Sequence, residues 1–459
     1  MRMRSRLGGR GRFLRAGARQ LTDGWHDLET FLGQVSPSAI RRKQASSTLY
    51  RPSDAELTRI QSILVRILTE NIVPFWYPST VDTEDGGYRA NHDLQGRWKG
   101  PANKSIVSQA RNLWFYSRLA RSQYGTHEHL RAASHGHEFL RGSMWDAEFG
   151  GFYWEVDPTG RRPTQSFKHV YGQAMALYAL SEYAVASGDT SAITLSDQLF
   201  RNLEDHAHDP EYGGYHEFFQ RDWGPPSPED ANPLGRHIAP NMKTTNAHVH
   251  LLESITRYCG LSEDSVARQR LIELILVMTS ATVHKKLGAC RQLFLDNWAP
   301  LRGAGHNRVS YGHDVEGIWL LMEALKVANQ PNPLLLDLYR TVFGYAVRYG
   351  FDRRAGGFYT EGRPRRAADR REKVWWVQAE ALLSALHMYV LTRERTYFEC
   401  FRQTLGWISA RQVDWENKEW FAEVDGGTAR GNKAGAWKDP YHNGRAMIEC
   451  LALLEGRKW

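Results

Sequence analysis

The chain has 459 residues and a mass of 52.6 kDa; with 42% hydrophobic and 24% charged residues it has material for a large core and too little charge excess to stay unfolded. No apolar run reaches the eighteen or so residues of a membrane span, and stretches such as 271–278 are broken by Glu273. The formal charge of +8 invites a nucleic-acid reading, but seven arginines and no acid fall within residues 1–22, leaving 52 basic against 51 acidic residues elsewhere. Neither nucleic acid nor membrane is expected as a partner. The arginine-rich segment lacks the apolar stretch of a secretory signal. Four cysteines, at 259, 290, 400 and 450, are too scattered for a disulfide framework or a structural zinc site, and a reducing cytoplasm suits them.

Residues 1–50 read as a basic, poorly ordered extension and 51–459 as a single domain. Within that domain a Gly-Gly-aromatic element recurs, as Gly86-Gly87-Tyr88, Gly150-Gly151-Phe152, Gly213-Gly214-Tyr215 and Gly356-Gly357-Phe358. Two weaker copies start at Gly288 and Lys418, and successive starts are 62 to 75 residues apart. Apolar periodicity places two helices in most units. In chain order they are 105–121, 126–141, 170–184, 190–206, 246–258, 263–283, 315–327, 333–348, 375–391, 396–412 and 443–454. The first, third and every second one after that are strongly apolar, and those between are amphipathic. This predicts an all-α (α/α)6 barrel of six helical hairpins, an inner ring inside an outer one, with short β-turn or strand elements at one end.

A radial arrangement gathers residues at equivalent offsets. Arg111, Tyr171, His313, Glu380 and His442 fall 21 to 25 residues after their starts, while a proline-rich insertion around 225–240 delays Asn246 and His250. These should ring one mouth of the barrel, the natural place for a ligand. In Ser310-Tyr311-Gly312-His313-Asp314-Val315-Glu316 the i,i+3 spacing puts His313 and Glu316 on one face, so the carboxylate could orient the imidazole or bind a hydroxyl. The loop 434–441 leads to a second histidine, His442, just ahead of a helix. A helix start disfavours an imidazolium and should keep both histidines available as bases near neutrality.

With these segments in view the chain resembles the N-acylglucosamine 2-epimerase superfamily, most closely its cellobiose 2-epimerase branch. The resemblance runs in order from about residue 65 to the end, through Ala110-Arg111-Asn112-Leu113-Trp114, Tyr171-Gly172-Gln173-Ala174, residues 243–253, 310–316, Trp375-Trp376-Val377-Gln378-Ala379-Glu380 and 437–445. It departs at Thr245 and Ala247 and in the 225–240 insertion. The resemblance implies the six-hairpin barrel and reversible C2 epimerisation of a reducing-end sugar through a cis-enediolate, with no added cofactor.

Such chemistry needs a proton taken from one face of C2 and returned to the other, which assigns His313 and His442 as the alternating base and acid. Arg111, His250 and Asn246 would stabilise the charge growing on O1, and Tyr171 would add a hydroxyl. Trp376 and Trp437 would offer flat faces to sugar rings, and Glu316 and Glu380 would accept hydroxyl hydrogen bonds. Three alternatives stay open: a monosaccharide epimerase or aldose-ketose isomerase of the same superfamily, a glycoside hydrolase using Glu316 and Glu380, and a non-catalytic sugar- or protein-binding barrel, which the intact histidine pair disfavours. A metal site from His248, His250, His313 and His442 is disfavoured, because residues two apart on a helix face different ways. The expected partner is a small carbohydrate, and the expected state a monomer or weak homodimer.

Overall fold

The structure, a computed structural model, describes residues 49–456 apart from 228–229, 231, 236–238, 240, 302 and 304–306. Most of the expected extension therefore lies outside the described residues, and so does part of the 225–240 insertion. Its last residue, Tyr50, packs on the domain: its amide donates to Arg393 O at 3.0 Å and its ring lies 5.5 Å from that of Phe398.

Among the described residues, twelve principal helices alternate between two roles. The inner set is α2 (Ile106–Ala120), α4 (Val170–Ser187), α6 (Thr245–Cys259), α8 (Tyr311–Val327), α10 (Trp375–Thr392) and α12 (Tyr441–Glu455). The outer set is α1 (Asp54–Arg66), α3 (His127–Phe139), α5 (Thr190–His206), α7 (Ser265–Leu276), α9 (Leu336–Gly350) and α11 (Arg395–Trp407). Each inner helix packs on the next, α12 returns to α2, and each outer helix covers an inner one, with α1 on α12. The result is the expected six-hairpin α/α barrel.

Sequence dictates these layers through the width of the apolar face. In α5 the buried residues are Ala192, Leu195, Ser196, Leu199, Phe200 and Leu203, a stripe at helical spacing with polar residues opposite. In α10 every residue from Val377 to Tyr389 is buried, as a helix surrounded on all sides requires. Helix α1, which the sequence analysis did not pick out, has the same one-sided pattern on Leu57, Ile60 and Leu64.

The Gly-Gly turns have a common wiring. In each intact copy both glycines adopt left-handed conformations, Gly356 at φ 80° and Gly357 at 79°, and a Cβ on Gly356 would meet Gln403 O at 2.4 Å. An aspartate four residues earlier, buried in every case but the half-buried Asp352, pairs with a buried lysine that precedes the next inner helix. These pairs are Asp82–Lys104, Asp146–Lys168, Asp209–Lys243, Asp352–Lys373 and Asp414–Lys433. In four of these five units the lysine also donates to the first glycine carbonyl or its counterpart, and Lys168 reaches Gly151 O instead. The Gly288 copy carries His284 and Val309 at the two positions, so neither partner of the pair is present there.

Short antiparallel strands link neighbouring units. Lys104–Ser105 pairs with Glu155–Val156, and Lys373–Val374 with Glu423–Asp425; the bridge from His92 to Ala434 joins last unit to first. This girdle lies at the N-terminal ends of the inner helices and fixes where each one starts. At the opposite mouth a cavity of about 620 Å³ is lined by Trp114, Tyr178, Trp319 and Arg445 among others.

Candidate functional site

The girdle brings the first turns of the inner helices together. Tyr171, Asn246, Trp376 and His442 stand second in their helices and His313 third, while Arg111, His250, Glu316 and Glu380 stand sixth. The expectation of one shared offset is therefore corrected: the site has two tiers one helical turn apart, and the deeper tier is almost wholly buried. Both histidines also lie inside their helices rather than ahead of them. The Ser310 hydroxyl caps α8 by accepting from His313 N, and Asp439 Oδ1 accepts from Tyr441 N at 3.1 Å at the start of α12.

His442 is the most constrained of the group. Its Nδ1 lies 2.6 Å from Glu380 Oε1, and its Nε2 faces the Arg111 Nη2 at 3.3 Å. Arg111 in turn donates to the Tyr171 hydroxyl at 2.8 Å and pairs with Asp439 at 3.4 Å. Of the two roles open to Glu316, orienting His313 falls to another residue. The His313 Nδ1 is 2.8 Å from Gln292 Oε1, whereas Glu316 turns away to Arg445 at 3.5 Å. The helical i,i+3 relation is real, but the carboxylate is drawn to the guanidinium at the barrel axis. The rings of both histidines pack near Trp376, at 5.0 and 5.8 Å between centroids. Trp375, next to it, lies instead near Lys438, whose Nζ is 5.6 Å from its ring centroid.

Electrostatics sharpens the picture. Burial pulls His313 down to about 4 and His442 to about 3, in the latter case against the Glu380 hydrogen bond. Both are neutral in the resting protein, and desolvation is the leading cause, where the sequence analysis invoked the helix start. Burial opposes ionisation of Glu380, but Arg445 and then His442 outweigh it and hold its carboxyl near 2. Burial and the neighbouring Glu380 push Glu316 well above the ordinary carboxylate range, against the pull of Arg445. His250, lowered by burial, rests on Glu253 Oε2 through Nδ1 at 2.9 Å.

Ligating atoms of Glu316, Glu380 and His442 lie within 4.8 Å of one another, an arrangement that in isolation would suit a cation. The Arg445 Nη2 already stands 2.7 Å from Glu380 and 3.5 Å from Glu316 and supplies that positive charge. Above the tiers, Trp437 is 43% exposed, with its ring 6.1 Å from Tyr171 and 6.2 Å from Trp154. It sits on a loop peculiar to the last unit: ten positions separate Lys433 from Asn443, where five separate Lys373 from Gln378.

Four contributors were absent from the sequence-level site. Glu253 follows His250 at i+3, a spacing that could have flagged it, and Arg445 follows His442 in the same way. Asp439 and Gln292 lie outside the helices, and only the tertiary structure brings them in. His248, in contrast, points away from the site, as expected from its spacing to His250: its Nε2 accepts from Tyr215 N at 3.0 Å.

Residues 86–446 match the N-acylglucosamine 2-epimerase family. The chain is 32% identical over 391 residues to a cellobiose 2-epimerase of Bacteroides fragilis, covering 84% of this chain and 96% of that protein. A cellobiose 2-epimerase of Ruminococcus albus is also 32% identical, over 394 residues that cover 84% and 96% of the two chains. Among solved structures, the cellobiose 2-epimerase of Spirochaeta thermophila superposes with a TM-score of 0.79 at 33% identity, covering 88% of this chain and 98% of that one. The chain belongs to the N-acylglucosamine 2-epimerase family, and as such it is a carbohydrate epimerase.

Proposed function

We propose that the protein reversibly epimerises C2 of the reducing-end sugar of a β-1,4-linked disaccharide of the cellobiose type, interconverting glucose and mannose ends. The observation that carries the reading is the pair of neutral imidazoles beside Trp376, each with Nδ1 held by an oxygen acceptor, so that each offers an Nε2 lone pair. The likeness to cellobiose 2-epimerases along most of the chain supports the substrate class.

In the proposed reaction the open-chain aldose binds with C2 between the two histidines. One imidazole takes the C2 proton, the C–H electron pair forms the C1=C2 bond, and negative charge moves onto O1. Arg111, with His250 and Asn246, stabilises that charge, and Tyr171 orients the guanidinium. The resulting cis-enediolate rotates about C2–C3. Its negative charge raises the proton affinity of both imidazoles, so the second histidine gains a solvent proton and delivers it to the opposite face. The first returns its proton to solvent, and the protein ends in its starting state. Trp437 and Trp376 stack on the sugar rings, and no metal or organic cofactor enters any step.

The test is a substrate panel of cellobiose, mannobiose, mannose and N-acetylmannosamine, run on the unmodified protein and on the His313→Ala and His442→Ala variants. The expected result is preference for the disaccharides and loss of turnover in both variants with folding intact. Preference for a monosaccharide would overturn the substrate class, and near-normal epimerisation by either variant would overturn the proton-transfer pair.

A further inference from the structure

We infer that Arg445 is a positioning residue of this site: one buried guanidinium aligns the two carboxylates that orient His442 and His250. Its Nη2 donates to Glu380 Oε1 at 2.7 Å, the same oxygen that holds His442 Nδ1 at 2.6 Å. Its Nη1 donates to Glu253 Oε1, and the other oxygen of that carboxylate holds His250 Nδ1 at 2.9 Å. The two ends of a planar guanidinium thus serve two separate histidine–carboxylate pairs, which a lysine ammonium could not do from one point.

The surroundings make Arg445 the hub of the barrel axis. Glu253 comes from α6, Glu316 and Trp319 from α8, Glu380 from α10, and Tyr441 and His442 from its own helix. Tyr178 of α4 and Arg111 of α2 also interact with it or with its carboxylates, and His313 of α8 and Cys450 of α12 feel Glu380. The guanidinium lies 4.1 Å from the Tyr441 ring centroid and 4.7 Å from that of Trp319, which fix its plane. Its net charge lowers the proton affinity of Glu380, Glu253, Glu316, His250 and His442 alike. With the charge removed, three buried carboxylates would share the axis uncompensated, and protons would be drawn in. A protonated Glu380 no longer accepts from His442 Nδ1, and the tautomer that exposes the Nε2 lone pair is lost.

This inference rests on the assignment of His442 to proton transfer, and the experiment separates the two. Arg445→Gln and Arg445→Lys are assayed for kcat and KM across pH. The Gln variant should lose about 100-fold in kcat, less than a direct lesion in a base's own hydrogen bond can cause, with KM changed by less than about threefold. The acid limb of its kcat profile should move to higher pH, and the Lys variant should recover part of the loss. An Arg445→Gln protein with unchanged kcat and acid limb would overturn the proposal. Histidine ¹⁵N spectra of the unmodified protein, assigned with His442→Asn, need neither activity nor a folded Arg445 variant. They should find His442 neutral at pH 5.5 with its proton on Nδ1; a cation there, or a proton on Nε2, would overturn it. Normal turnover by His442→Ala would instead sink the assignment of the base.

Discussion

Glu380 Oε1 lies 2.6 Å from His442 Nδ1, so a carboxylate on α10 sets the tautomer of an imidazole on α12. Because Arg445 and His442 hold that carboxyl ionised, it accepts and does not donate, and the proton of the neutral ring stays on Nδ1. The lone pair is left on Nε2, beside Arg111.

Replacing Glu380 with Gln keeps the shape and removes the charge. The amide can present its NH₂ to Nδ1, which favours the wrong tautomer. A loss of roughly 10²- to 10⁴-fold in kcat is expected, on the scale of comparable lesions in histidine–carboxylate pairs. Steady-state kinetics should find KM little changed, and a variant within twofold of the unmodified kcat would remove Glu380 from the account.

The histidines must be neutral to act as bases, and burial holds them at about 4 and 3. Protonation therefore abolishes activity only as pH falls toward these values. The kcat/KM profile should stay flat from neutrality down to about pH 5 and then fall, where an exposed histidine would give a limb near 6.5. Initial rates from pH 3.5 to 8 check this, and a limb centred on 6.5 would mean that the working base is not one of these two.

Much of this arrangement is legible in the sequence because each histidine sits in the first turn of an apolar helix and the Gly-Gly turns mark the units. The fold followed from that repeat. The two-tier depth was not legible, because it depends on where Ser310 and Asp439 start their helices, two to four residues earlier than apolar periodicity alone suggests. Gln292 belongs to the decayed Gly288 copy, and only strand pairing of Leu293–Leu295 with Met242–Thr244 brings that segment to the mouth. The spacing left Glu316 to orient His313 or to bind a hydroxyl, and only the tertiary structure shows the buried Arg445 guanidinium of another helix 3.5 Å from it.

The lysine–aspartate pairs make a stability prediction. Lys168 and Asp146 are both wholly buried at 3.0 Å, and Asp146 also holds Arg221 at 2.9 Å. Asp146→Ala leaves the ammonium without its anion and should cost about 3–5 kcal/mol. Lys168→Met should cost less, since Asp146 keeps Arg221, and the double variant should be more stable than the sum of the two losses implies. Urea denaturation measures all three; an Asp146→Ala loss within about 0.5 kcal/mol of zero would show that the pair does not hold the turn.

The carboxylates near His442 already have a resident cation in Arg445. Exhaustive dialysis against a chelator should leave the epimerisation rate unchanged, and readdition of divalent metals should not raise it. A rate that falls on dialysis and returns with one metal would contradict a purely side-chain proton transfer.

In the proposed reaction C2 exchanges its proton with solvent through two histidine side chains. The most direct measurement is to incubate cellobiose with the protein in heavy water and locate deuterium by NMR in the product and the recovered substrate. Deuterium at C2 of the product, absent when His313 or His442 is replaced by Ala, is the predicted result. Epimerised product free of solvent deuterium at C2 would contradict it.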